Sequence, residues 1–161
     1  MLKINLIKQT YKPFVFVAAL IFSSFASAQS LINDMQSCQA LIEFVEQRLS
    51  SPPASYDKTK VTNILEGLGA YNTHIQETIV TPGLLQFNQG DKAKAQNMQQ
   101  QVDAYKKTLI ANFAKRFPEN RMYTDYAVSL NNCTKKAVPE GEALEQLKVA
   151  LNTMVALARS H

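Results

Sequence analysis

Residues 31–49 read LINDMQSCQALIEFVEQRL, and within them Leu31, Met35, Cys38, Ile42, Val45 and Leu49 recur at steps of four and three. That spacing puts all six on one side of an α-helix, as a stripe that other elements must cover. The helix is expected from about Ser30 to Ser50, because Pro52 and Pro53 cannot continue it.

The same period returns four times downstream. Asp57 suits the N-cap of a second helix with the stripe Val61, Ile64, Leu65, Leu68, Tyr71, Ile75 and Ile79, which Pro82-Gly83 is expected to stop. Asp91 caps a third, with Ala95, Met98, Val102, Tyr105, Leu109 and Phe113 facing the core and Pro118 at its end. A shorter fourth runs from about Asn120 to Lys135 and carries Tyr123, Tyr126, Ala127, Leu130 and Cys133. Pro139 opens a fifth with Leu144, Leu147, Leu151, Val155 and Ala158. No segment alternates apolar and polar residues for long enough to read as a strand. The expected fold is all-α, an antiparallel bundle of four to five helices.

Ahead of this pattern lies a different one. Lys3, Lys8 and Lys12 precede an apolar run from Phe14 to Phe22 that leads into Ala26-Ser27-Ala28, the layout of a secretory signal peptide. Residues 1–28 are therefore expected to be a cleaved leader and residues 29–161 a single domain, periplasmic or secreted. The apolar run is shorter than the about 20 residues a membrane span needs, and no second run follows it. Loss of the leader would remove three of the 17 Lys and Arg, leaving 14 against 13 Asp and Glu. A near-neutral domain gives no reason to expect a nucleic-acid partner. Lys106, Lys107, Lys115, Arg116 and Arg121 cluster in sequence but point around a helix, and read as cations near its C-terminus.

The two cysteines, Cys38 and Cys133, lie in the expected mature domain. In an oxidising compartment a single disulfide follows, joining the first helix to the fourth. Neither has the C-x-x-C spacing or a neighbouring His of a redox or metal site, so no metal or other cofactor is expected.

Four further features stand out. Gly67 and Gly69 sit inside the second helix, where each costs about 1 kcal/mol relative to Ala, and are read as letting neighbouring helices approach. The connection Val80–Gly90 carries Leu84, Leu85 and Phe87, read mainly as a plug for the bundle end, with Phe87 the residue expected to face a partner protein. In the last helix Val149, Thr153 and Leu157 form a second row, either buried or a homodimer contact. The run Gln96–Gln101 reads as a solvated helix face.

Catalytic residues are sparse. His161 is terminal, and His74, with Glu77 three residues on, reads as half of a surface pair. No nucleophile elbow, zinc-binding HExxH or phosphate loop occurs, so no enzyme is expected.

The stretch Asn88-Gln89-Gly90-Asp91-Lys92-Ala93-Lys94-Ala95-Gln96 is similar to the turn and start of the last helix in periplasmic b-type cytochromes built as four-helix bundles. Those proteins hold haem through a Met near the start of the first helix, loosely matched by Met35, and a His in the last. Here the helix that follows has no His, with Ile110 and Asn112 where the ligand would be wanted, and only His161 ends the chain. Membership is not assigned. The reading is a non-catalytic exported protein-interaction module, such as an inhibitor, an immunity-type protein or a small chaperone, that binds another exported or periplasmic protein. The alternative is a small-ligand or haem/metal-binding four-helix bundle.

Overall fold

The computed structural model describes residues 22–160. Most of the expected leader, residues 1–21, and His161 lie outside the described residues.

Among the described residues six α-helices form: α1 Phe22–Leu49, α2 Lys58–Ile75, α3 Thr81–Phe87, α4 Lys92–Arg116, α5 Thr124–Thr134 and α6 Gly141–Arg159. A wide π turn, Gln76–Val80, joins α2 to α3, so residues 58–87 make one continuous rod and the bundle has five rods. Asp57 and Asp91 cap α2 and α4 as expected, accepting from the Lys60 and Lys94 backbone N–H at 3.0 and 3.1 Å. α1 begins ahead of Ser30 because no Pro or Gly interrupts the chain between Phe22 and Ser50.

Pro82-Gly83 does not stop the second rod. Proline breaks a helix by lacking an N–H and by crowding the preceding turn. The π turn relieves this by widening the ladder just ahead of it: the Thr81 N–H bonds five residues back to the Gln76 carbonyl, and Pro82 falls in the first turn of α3. Gly83 lets α3 lie close on α1: a Cβ there would lie 2.6 Å from Ile32 Cδ1, the end of a side chain that would have to shift. The rod ends at a turn in which Gln89 and Gly90 both have positive φ.

α1, α2, α6 and α5 pack in a closed ring, each against the next, and α4 lies outside it on α1 and α3. Neighbours in the ring run antiparallel. Gln39 meets Gln76 while Glu46 lies nearest Gly69, and Cys38 is bonded to Cys133 while Phe44 packs on Tyr126. α4 runs parallel to α1, with Lys106 against Glu43 and Phe113 against Phe44.

This arrangement makes α1 the central helix. Beyond the expected stripe it buries Ile32, Gln36, Gln39, Ala40, Leu41 and Phe44, because α4 covers the side that would otherwise face water. The core gathers Met35, Ile42, Phe44, Ile64, Leu68, Tyr71, Tyr126, Leu130, Leu147 and Met154. Tyr126 stands edge-on to Phe44 and Phe117, with ring centroids 5.7 and 4.9 Å apart. The disulfide staples α1 to α5 with its sulfurs 2.05 Å apart.

Two stripes sit differently from expectation. On α4, Tyr105 is exposed and Lys106 is buried at 8% exposure, so the inward face is one residue further round. On α6, Leu147, Ala150, Met154 and Leu157 form the buried face, with Leu144, Leu151, Val155 and Ala158 at its margins. The row Val149, Thr153, Leu157 is therefore not a single surface: Leu157 is in the core, Val149 is exposed, and the Thr153 hydroxyl bonds the Val149 carbonyl. Of the two mid-helix glycines, only Gly67 serves close packing.

Candidate functional site

α2 and α4 both rest on α1 but do not pack on each other, which leaves a trench between them floored by α1. A line of hydrogen-bonded polar side chains fills it. Gln39 Nε2 donates to Gln76 Oε1 at 3.1 Å, and Gln76 Nε2 donates to Thr81 Oγ1 and Gln99 Oε1 at 2.9 and 3.1 Å. Gln99 Nε2 donates to Asp103 Oδ1 at 3.0 Å. Lys106 Nζ closes the line with 2.8 Å to Glu43 Oε1 and 3.2 Å to Asp103 Oδ1. The line leaves α1 at Gln39, crosses the π turn, follows α4 and returns to α1 at Glu43.

Each member is placed by backbone geometry. A π turn rotates the residues around it relative to an α-helix, and Gln76 is the first residue of this one. Gln99, Asp103 and Lys106 recur at steps of four and three on α4, so one face carries all three. Gln99 is thereby turned inward out of the stretch Gln96–Gln101 that reads as a solvated face.

The electrostatics of the trench are dominated by carboxylates. Burial would lower the Lys106 ammonium, but its bonds to Glu43 and then Asp103 outweigh that and hold it above the usual lysine value. Glu46, one turn beyond Glu43, is pushed up by burial and then by the Glu43 charge. Near the middle of the trench is a polar cleft of about 270 Å³ lined by Gln39, Asn72, Thr73, Gln76, Glu77 and Lys106. Gln39 is 2% exposed, and both its Oε1 and the Asn72 Oδ1 are buried without a hydrogen-bond partner. Buried acceptors in that condition are uncommon in folded proteins and ask for a reason.

The expected partner residues are spread around α3. Leu84 points inward and is 4% exposed, Leu85 is half-buried, and Phe87 is exposed at 43%. Leu84 and Leu85 line a groove of about 330 Å³ against α4, together with Gln76, Thr81, Lys92, Ala95, Gln96 and Gln99. At about 100° per residue, Phe87 lies on the other flank of Leu84 from Leu85, so the three do not form one patch. The plug reading fits Leu84, and the exposed position is Phe87.

His74 stacks on the Tyr71 ring, with centroids 6.4 Å apart, and its carbonyl accepts from the Thr78 hydroxyl at 2.7 Å. Met35, the loose match to a haem ligand, is fully buried in the core. Among the described residues no group of three His, Cys, Asp or Glu is placed to hold a metal ion, and no helix is long and apolar enough to cross a membrane.

The trench is absent from the expectations drawn from sequence, although its signal is in the opening stretch. Gln36, Gln39, Glu43 and Glu46 recur there at steps of three, four and three, a second stripe on the same helix as polar as the first is apolar. A helix with two such stripes is covered on two sides. Comparison of the chain with protein-family models, with curated proteins and with solved structures gave no match.

Proposed function

We propose that this chain is an exported, disulfide-stapled, non-catalytic binding protein that engages a protein partner through the surface around α3. The observation that carries the reading is Phe87, a large aromatic side chain 43% exposed at the end of a helix that Leu84 anchors in the core. Exposed aromatic anchors beside well-packed surroundings are the usual seat of binding energy between proteins. Leu84 fixes α3 to the core, so the anchor is carried on a rigid element and little ordering entropy is lost when a partner docks. The groove on the other flank of α3 is lined by Leu84, Leu85 and Ala95 and bordered by Lys92, which fits a partner presenting an apolar side chain next to a carboxylate.

Export supports this reading and is part of it. A disulfide linking α1 to α5 suits an oxidising compartment.

The test is site-specific photo-crosslinking in the exporting host. A photoreactive phenylalanine analogue at position 87 should capture one protein that the same analogue at exposed Val149 does not. N-terminal sequencing of the recovered chain should begin at Gln29. An empty capture at position 87, or the same set of proteins from both positions, would overturn the partner surface, and a chain beginning at Met1 would overturn export.

A further inference from the structure

We infer that the cleft between the C-terminal end of α4 and α5 is a binding site for a small zwitterion with an apolar side chain, an α-amino acid of the phenylalanine or leucine kind, whose carboxylate meets Arg116 and whose ammonium meets Asp125. The site shares no residue with the α3 groove and does not depend on it.

The helix packing opens this cleft. α4 and α5 both rest on α1 but do not pack on each other, so a second trench lies across α4 from the polar one. The first trench is filled by side chains bonded from wall to wall. In the second, among the described residues, the side-chain bonds that leave α4 go to α1, the π turn and the end of α3, and none crosses to α5. What remains is a cavity of about 400 Å³, inside the range of about 300–1,000 Å³ usual for small-molecule sites.

Most of its lining is apolar: Leu41 on α1, Phe113 and Phe117 at the end of α4, Val128 on α5, and the Cys38–Cys133 disulfide. Leu41 and Phe117 are buried and form the floor, whereas Val128 is 54% exposed and offers apolar surface at the mouth. An apolar lining with a few placed polar groups is the usual composition of a small-molecule site.

The two charged residues of the lining stand on facing walls, Arg116 in the last turn of α4 and Asp125 in the first turn of α5. They are not paired with each other, and among the described residues neither has a hydrogen bond or an ion pair elsewhere. The Arg116 guanidinium lies over the Phe117 ring, 5.1 Å from its centroid, which holds it beside the cleft and leaves its N–H fork free for a carboxylate. A simple anion would meet Asp125, a simple cation would meet Arg116, and neither would use the apolar floor. A zwitterion matches both charges at once, and an apolar side chain covers the floor and Val128.

The experiment is calorimetric titration of the purified, unreduced protein with L-phenylalanine and with L-leucine. Three controls each lack one element of the ligand: N-acetylphenylalanine the ammonium, phenylalanine amide the carboxylate, and serine the apolar group. At least one of the two apolar amino acids should bind saturably with Kd below about 1 mM, at least about tenfold tighter than every control, and shift the methyl NMR signals of Leu41 and Val128. Arg116 and Asp125 are exposed, so Arg116→Gln and Asp125→Asn should keep the fold, and each should weaken that binding at least about tenfold. Phe87→Ala, on the α3 surface, should leave it unchanged. Absence of saturable binding by both amino acids, a control that binds as tightly, unmoved Leu41 and Val128 signals, or unchanged affinity in either charge variant would each overturn the site.

Discussion

Gly67 on α2 faces Ala150 on α6 so closely that a Cβ at position 67 would lie 2.6 Å from the Ala150 Cβ and would also press on the Gln146 backbone. One turn on, Tyr71 reaches past the start of α6 to donate its hydroxyl to the Ala137 carbonyl at 3.0 Å. These contacts set the spacing of the most extensive helix pair in the bundle. Gly69, two residues away, has only the flexible Glu46 carboxylate within reach, at 4.0 Å. Gly67→Ala should therefore destabilise by about 1–3 kcal/mol through overpacking against backbone that cannot give way. Gly69→Ala should stabilise by up to about 1 kcal/mol through helix propensity alone. Thermal melts of the two single variants, moving in opposite directions, check the pair.

The Cys38–Cys133 bond closes a loop of 95 residues between α1 and α5. On the chain-entropy account a loop of that length is worth about 4–5 kcal/mol, although measured gains are often smaller. Cys38→Ser should lower the melting temperature by roughly 10 °C, with helical content at room temperature retained. Hydrogen exchange should rise in α1 and α5 ahead of α2. Thiol labelling of the unreduced native protein should find no reactive cysteine.

Glu46 gives a pH signature. Burial first, and the Glu43 charge second, raise its folded pKa above the ordinary carboxylate value. The folded state then holds a proton that the unfolded chain has released, so stability falls as pH rises from about 4.3 through the raised value. Glu46→Gln removes the charge and should raise the melting temperature at pH 7. Below about pH 4 both forms are neutral, and the two melts should converge. A Glu46→Gln variant equally stabilised at both pH values would mean that packing, not charge, governs the position.

The helix stripes of α1 and α2, both aspartate caps and the disulfide are all readable along the chain because each depends on local period, local hydrogen bonds or the count of cysteines. Pro82 misleads for an instructive reason. The breaker rule assumes an α ladder on both sides, whereas a π turn can place the proline in the first turn of a new helix. On α4, Tyr105 and Lys106 compete for the inward position. The decision falls to Glu43, 63 residues away, whose carboxylate Lys106 can reach and a phenol cannot replace. The polar stripe on α1 shows locally only that a second side of that helix is covered; the groups that complete the trench come from the π turn, α3 and α4 and meet only because α4 lies outside the ring, parallel to α1.

Leu84 and Phe87 separate structure from function on a single short helix. Leu84 is 4% exposed and locks α3 against the core, so Leu84→Ala should cost about 2–5 kcal/mol in a thermal or denaturant melt. Phe87 is 43% exposed, and its truncation should leave the melt nearly unchanged. If the surface around α3 is the partner surface, Phe87→Ala should weaken binding to the crosslinked partner by at least about 2 kcal/mol, roughly thirtyfold, mostly through faster dissociation. Leu84→Ala, measured well below its melting temperature, should weaken binding less for its larger loss of stability, because at 4% exposure it offers the groove only a small edge of its side chain. Paired melting and binding curves for the two variants therefore cross: the one that melts early still binds, and the one that melts normally does not. A Phe87→Ala protein that binds the captured partner as tightly as the parent would place the interaction elsewhere on the molecule, whatever its melting curve.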